Sequence, residues 1–265
     1  MHIPITLKRI AHLSCLLGFF SLVACTTTVE ETGRKQFNVL NASEEAKLGI
    51  SEFQKFKQSK PISSNGTYNA STQRVASRIT RGVSMPNAQW EFVVFSDPTP
   101  NAFALPGGKV GIHSGLFKVV QNDAQLAAVI GHEIAHVTTR HSGERISRQM
   151  AGSAFGAVVG EVLHRKTDAT RAVTHGATQG AITLANLNFS RKQELEADQI
   201  GAIYMAKAGY DPRESVEIWK RIAEYKKQSG AGSTPGILST HPLDSRRIAE
   251  LENFMPQALT YYSGN

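Results

Sequence analysis

Cysteine is nearly absent from this sequence. The chain of 265 residues has 2 cysteines, Cys15 and Cys25. Both lie at the N-terminal end, so the body of the chain is built without disulfides and uses no thiol chemistry. Long apolar runs are missing too. Outside residues 10–24, no stretch approaches the roughly 20 apolar residues that a membrane-spanning helix needs. There is no tandem repeat and no domain-scale linker. Acidic charge is in deficit, with 22 Asp and Glu against 29 Lys and Arg and a net charge of +7. Lys8 and Arg9 are the only charges in residues 1–24, and without them the side-chain charge is +5. No motif that interleaves basic and aromatic residues accompanies this excess, so no nucleic-acid partner is expected. Much of it reads as solvated surface, with a modest attraction to anionic membranes. A composition of 41% hydrophobic and 19% charged residues suits one good-sized domain or two small ones.

Residues 1–24 have the shape of a targeting segment, with Lys8 and Arg9 ahead of an apolar stretch too short to span comfortably. The segment ends Leu22-Val23-Ala24-Cys25, which resembles the lipobox of bacterial lipoproteins. That resemblance implies lipidation of Cys25 as the mature N-terminus. Thr26 is not the aspartate that retains such proteins in the inner membrane, so an outer-membrane anchor facing the periplasm is expected. Residues 25–42 are expected to be a polar tether, and residues 43–265 the folded domain.

What is present in abundance is chemistry around Gly131-His132-Glu133-Ile134-Ala135-His136. Leu126, Val129, Ile130, Ile134 and Val137 recur at helical spacing after Asn122 or Asp123 as N-cap. Residues four apart share a helix face, so His132 and His136 can offer ring nitrogens to one zinc ion. Glu133 lies about 100° further round the helix. There it reaches a metal-held water as a base rather than the metal as a ligand. This is the physical content of H-E-x-x-H. A third ligand must come from elsewhere. In Glu194-Leu195-Glu196-Ala197-Asp198, Glu194 and Asp198 share a helix face and Glu196 is turned away. One carboxylate could ligate the metal while its neighbour supports it.

The rest reads as helices at residues 43–57 (N-cap Ser43), 70–81, 191–208, about 211–227 and 243–254, and strands at 90–95, 101–105 and 109–113. Pro98, Pro100 and Pro106 suit an edge position, and an exposed edge can pair with an extended peptide. His113 reads as structural, and His141 as a helix-end or surface histidine. Residues 142–179 suggest a glycine- and alanine-rich helix around Gly152, Gly156 and Gly160, followed by a polar loop at 166–174 placed to act as a lid. The tail is expected to be loose after Pro256.

H-E-x-x-H followed by E-x-E-A-D-x-x-G resembles the zinc metallopeptidases that include HtpX, the CAAX prenyl proteases and the periplasmic BepA and LoiP proteins. Asn101-Ala-Phe-Ala-Leu-Pro-Gly-Gly108 and Thr240-His241-Pro242 fit the same pattern, in order, over residues 65 to 255. The resemblance implies an α+β, predominantly helical zincin-like domain with a small sheet beside the zinc helix. It implies one Zn2+ per chain, held by His132, His136 and Glu194 in the gluzincin manner. Glu133 would be the catalytic base, and Asp198 a proton donor or supporting partner. His241 would lie near the zinc, either as a plug in its open position or as a helix cap. Substrate would pair along Asn101, Ala102, Phe103 and Ala104. The expected function is an endopeptidase acting on unfolded or misassembled envelope polypeptides. The rivals are a chaperone-like outer-membrane assembly factor with secondary or latent proteolysis, and a zinc amidase acting on cell-wall peptides.

Overall fold

The computed structural model describes residues 26–85, 88–162, 188–228 and 236–264, with residues 153–162 described by their backbone. The expected targeting segment, Cys25, the loops at 166–174 and 229–234 and the approach at 181–187 lie outside the described residues. Among those described, the elements in order are strands β1 (Thr26–Thr28) and β2 (Lys35–Phe37), helices α1 (Ala42–Ser59) and α2 (Gly66–Thr80), then strands β3 (Glu91–Phe95), β4 (Ala102–Leu105) and β5 (Lys109–His113). A 3-10 turn at Ser114–Lys118 leads to α3 (Asp123–Thr138), α4 (His141–Val162), α5 (Arg191–Lys207), α6 (Glu214–Gln228), α7 (Gly236–Thr240) and α8 (Ser245–Leu259). The fold is α+β and mostly helical, as expected.

The sheet has three strands in the order β3-β5-β4, with β5 parallel to β3 and antiparallel to β4. β4 is therefore an edge strand, as its flanking prolines indicate. Its side chains are nonetheless buried rather than exposed. Ala102 and Ala104 join the main core under α3, while Phe103 and Leu105 join a second cluster with Phe53 of α1 and Phe95. The main core fills the space between this sheet, α2, α3, α5, α6 and α8. α3 is buried on every side from Gln125 to Val137, the signature of a central helix rather than a surface one.

Several boundaries move for local reasons. α1 is capped by Asn41, not Ser43, because Asn41 and Glu44 form a reciprocal capping box. α2 begins four residues earlier than expected because Asn65 accepts from the Tyr68 amide. α8 is capped by Asp244 and runs through Pro256 to Leu259, so the tail stays helical past the proline. The expected tether also folds. β1 and β2 pair antiparallel, turning through Gly33 at φ 68°, where glycine avoids the left-handed strain. Tyr204 of α5 donates to Glu31 at 2.9 Å, and the Val39 amide donates to Ser147 at 2.9 Å, so this segment is fastened to the domain. α4 is the helix expected for the first part of residues 142–179, and no described helix is long and apolar enough to cross a membrane.

Candidate metal centre

α3 and α5 cross at a pair of glycines. A Cβ on Gly201 would meet the His132 backbone nitrogen at 2.8 Å, and one on Gly131 would meet the Gly201 carbonyl oxygen at 2.8 Å. Only bare backbone allows this approach. It sets Glu194 of α5, about two turns before the crossing, beside His132 and His136 of α3.

His132, His136, Glu194 and His241 are all buried and each offers a donor atom within 4.8 Å of the others. His132 Nε2 lies 3.1 Å from His136 Nε2 and 3.2 Å from His241 Nδ1. Glu194 Oε1 lies 3.0 Å from His241 Nδ1 and 3.4 Å from His136 Nε2. A tetrahedral zinc with nitrogen ligands at about 2.0–2.1 Å has donor–donor edges of about 3.3–3.4 Å. The four separations are close to that edge length, and all four donors lie within 4.8 Å of one another. Glu133 is buried at 1% exposure, and neither of its carboxylate oxygens has a hydrogen-bond partner among the described residues. His241 Nε2 lies 3.3 Å from its Oε1. A buried carboxylate without a partner is costly unless the site employs it. The residues therefore fit a metal and a base beside it.

The supporting groups explain the electrostatics. His132 Nδ1 lies 2.9 Å from Asp198 Oδ1. Arg247 of α8 forks onto Asp198 with Nε and Nη2 at 2.5 and 2.8 Å and reaches Glu194 Oε2 with Nη1 at 2.7 Å. Its guanidinium also lies over the Trp219 ring at 4.3 Å. Burial would raise Glu194 and Asp198, but the charges of His241 and Arg247 hold Glu194 well below the usual carboxylate range, and Arg247 lowers Asp198. Burial would likewise lower His132, yet Asp198 and Glu194 push it up to about 9. His136 lies well below its usual value because it is buried and has His132 as a neighbour.

The expected site residues thus divide. His132, Glu133, His136, Glu194 and His241 converge on one point, and His241 is a fourth donor rather than a helix cap. Asp198 lies behind His132, 2.9 Å from its Nδ1, and Arg247 lowers its pKa. Asn101 precedes β4, which carries Ala102, Phe103 and Ala104 and packs against α3. His113 is buried by β-sheet packing against Phe103, as a structural histidine.

Two expectations change. His141 is not at the surface. It is fully buried, with Nδ1 2.8 Å from His136 Nδ1. The reason is a break between α3 and α4 at Arg140, which takes φ 55°. A continuous helix would carry residue 141 away from residue 136, whereas the break turns it back. Glu196 faces away from the metal donors as expected, but it meets His141 Nε2 at 2.9 Å. Arg247 and Phe189, which stacks on His136 at 3.9 Å, were not singled out from sequence. Arg247 had a signal: it shares a helical stripe with Leu251, Met255 and Ala258, and a charge on an apolar stripe needs a buried partner.

A cleft of about 440 Å³ opens beside His136, walled largely by Ala46, Met85, Pro106, Gly107 and Val137.

Paired histidines one helical turn apart, a glutamate ligand from a second helix and a free buried carboxylate define the metallopeptidase class. Residues 67–255 match the model of Peptidase family M48, and the chain belongs to that family. It is 38% identical over 178 residues to the mitochondrial metalloendopeptidase OMA1 of Saccharomyces cerevisiae, covering 66% of this chain and 49% of that protein. To its Schizosaccharomyces pombe counterpart it is 37% identical, over 70% of this chain and 52% of that protein. It is 26% identical to the beta-barrel assembly-enhancing protease of Escherichia coli over 85% of this chain and 47% of that protein. The chain spans about half the length of these relatives.

Proposed function

We propose that this chain is a zinc-dependent endopeptidase of the bacterial cell envelope, acting on unfolded or misassembled envelope polypeptides. The observation that carries the reading is the set of four buried donors within 4.8 Å of one another, with Glu133, whose oxygens accept no hydrogen bond among the described residues, beside it. His132, His136 and Glu194 would hold one zinc. When bound, zinc supplies a Lewis acid for the scissile carbonyl and brings the pKa of water towards neutrality. Glu133 then acts as general base, its oxygens uncommitted to any other donor, and removes the proton of the attacking water. Glu133 can then pass that proton to the leaving amine, while His241 Nε2 lies 3.3 Å from Glu133 Oε1. Asp198 and Arg247 do not touch substrate. They fix His132 and Glu194.

Substrate would lie along β4 at Asn101, Ala102, Phe103 and Ala104, pairing through backbone groups, with an apolar side chain in the cleft beside His136. A site that reads backbone suits unfolded chains of varied sequence. Similarity to the assembly-enhancing protease over 85% of the chain supports the envelope. The lipobox-like Leu22-Val23-Ala24-Cys25 supports a lipid anchor at Cys25 on the periplasmic face of the outer membrane. The higher identity to OMA1 belongs to a narrower part, 66% of the chain.

A second reading has one observation in its favour. His241 Nδ1 takes the fourth corner, which a catalytic site keeps open. A chaperone-like assembly factor with latent proteolysis would look the same at rest. Casein cleavage by the zinc-loaded protein and by Glu133→Gln separates the readings. Loss of cleavage in the variant supports the peptidase. Equal cleavage by both refutes Glu133 as the base, and a biological effect that survives Glu133→Gln favours the assembly factor. Mass spectrometry of the N-terminus tests the anchor, which an unmodified Cys25 would refute.

A further inference from the structure

We propose that His141 and Glu196 are positioning residues for His136, and that the hairpin at residues 26–37 completes their relay through Arg34. The inference rests on the metal centre described above. If His136 gives Nε2 to the metal, its neutral ring carries the proton on Nδ1. That nitrogen lies 2.8 Å from His141 Nδ1, which must then accept. His141 therefore carries its own proton on Nε2, which donates to Glu196 Oε2 at 2.9 Å. Each ring is left with one tautomer and one orientation.

The relay ends on the hairpin. Arg34 Nε donates to Glu196 Oε2 at 2.6 Å, and the Thr32 hydroxyl donates to Glu196 Oε1. Arg34 Nη1 meets Glu144 Oε2 at 2.9 Å, and Nη2 meets Gln36 at 3.1 Å. The groups are shielded from water: His141 is 0% exposed, Glu196 7% and Arg34 11%. His141, Thr32 and Arg34 thus converge on the two oxygens of the one Glu196 carboxylate.

The same logic serves the other histidine. His132 turns its outer nitrogen to Asp198, and Asp198 is held by Arg247. Both histidines are thus backed by a buried carboxylate that an arginine holds. The His136 branch is one imidazole longer, and its arginine comes from the hairpin. Such outer partners orient the ring and raise its basicity towards a metal, and losing one typically costs 10–100-fold in affinity. The hairpin begins one residue after Cys25, so the segment proposed to carry the anchor also braces the metal centre.

The test is zinc affinity of the full chain in detergent, measured against a competing chelator, with the visible spectrum of the cobalt-loaded protein as a second readout. Glu196→Ala is expected to weaken zinc binding about 10–100-fold and Arg34→Ala about tenfold, both shifting the cobalt bands. Glu196→Gln, whose amide oxygen still accepts from His141, should lose less. Because one relay carries both effects, Arg34→Ala with Glu196→Ala should bind no more weakly than Glu196→Ala alone. Lys35→Ala, at the exposed residue that follows Arg34, should bind as wild type. Wild-type affinity in Arg34→Ala or Glu196→Ala, or losses that multiply in the double variant, would overturn the relay. So would a lowered melting temperature of the metal-free protein with affinity unchanged. A wild-type chain that binds no zinc would instead overturn the metal-centre reading on which the relay depends.

Discussion

Replacing Arg247 by methionine removes the guanidinium that bridges Asp198 and Glu194, while leaving the apolar stripe of α8 filled. Arg247 is 1% exposed and makes two hydrogen bonds to Asp198 and one ion contact to Glu194. Removing one partner of such a buried pair typically costs 3–5 kcal/mol, because the remaining charge stays desolvated. With a urea dependence of about 3 kcal/mol per molar, the unfolding midpoint of the metal-free protein should fall by about 1–2 M. The pH dependence gives the sign. In the wild type Asp198 is lowered by Arg247, so its contribution is present above the ordinary carboxylate range and is lost as pH falls through the depressed value. In Arg247→Met burial acts unopposed by that cation and raises Asp198, so the variant is penalised most at neutral pH. The stability gap should be full at pH 7 and shrink as pH falls through the raised Asp198 value of the variant, closing further towards the depressed wild-type value. Arg247→Lys should recover part of the loss, since lysine restores charge but not the planar fork. Urea titrations from pH 7 to pH 3.5 measure all of this. A midpoint within 0.3 M of wild type at pH 7 (about 1 kcal/mol) or a gap independent of pH would refute the reasoning.

Two further outcomes follow from the same geometry. Gly201→Ala should force α3 and α5 apart, because its Cβ meets backbone at 2.8 Å; the expected cost is about 1–3 kcal/mol with weakened zinc binding, and tight zinc binding at unchanged stability would contradict the crossing as the source of site geometry. His241→Ala should open the fourth corner, raising casein cleavage about tenfold at saturating zinc while zinc binds more weakly, as expected if a closed form dominates at rest. Cleavage lost as completely as in Glu133→Gln would instead make His241 an indispensable proton carrier.

The parts legible in sequence were those that a single helix or short strand encodes. His132, Glu133 and His136 are placed by helical spacing alone, and so is the shared face of Glu194 and Asp198. The three sheet strands were found because apolar and β-branched residues cluster between prolines and glycines. What escaped depends on contacts between distant segments. Arg247 reaches Asp198 from 49 positions away, and Glu196 meets Arg34 across 162. His141 escaped for a local reason, because the left-handed Arg140 is a residue type that gives no sign of a helix break. The hairpin escaped because its strands have 3 residues each and their burial comes from polar contacts to α4 and α5, which leave no hydrophobic period to read.

The most direct measurement is X-ray absorption at the zinc edge of the stoichiometrically loaded protein. The account predicts one zinc per chain with four nitrogen or oxygen neighbours at about 2.0–2.1 Å. Three of these should show the outer-ring scattering of imidazole, falling to two in His241→Ala. A six-coordinate, oxygen-rich site, or an imidazole count unchanged by His241→Ala, would contradict the centre formed by His132, His136, Glu194 and His241.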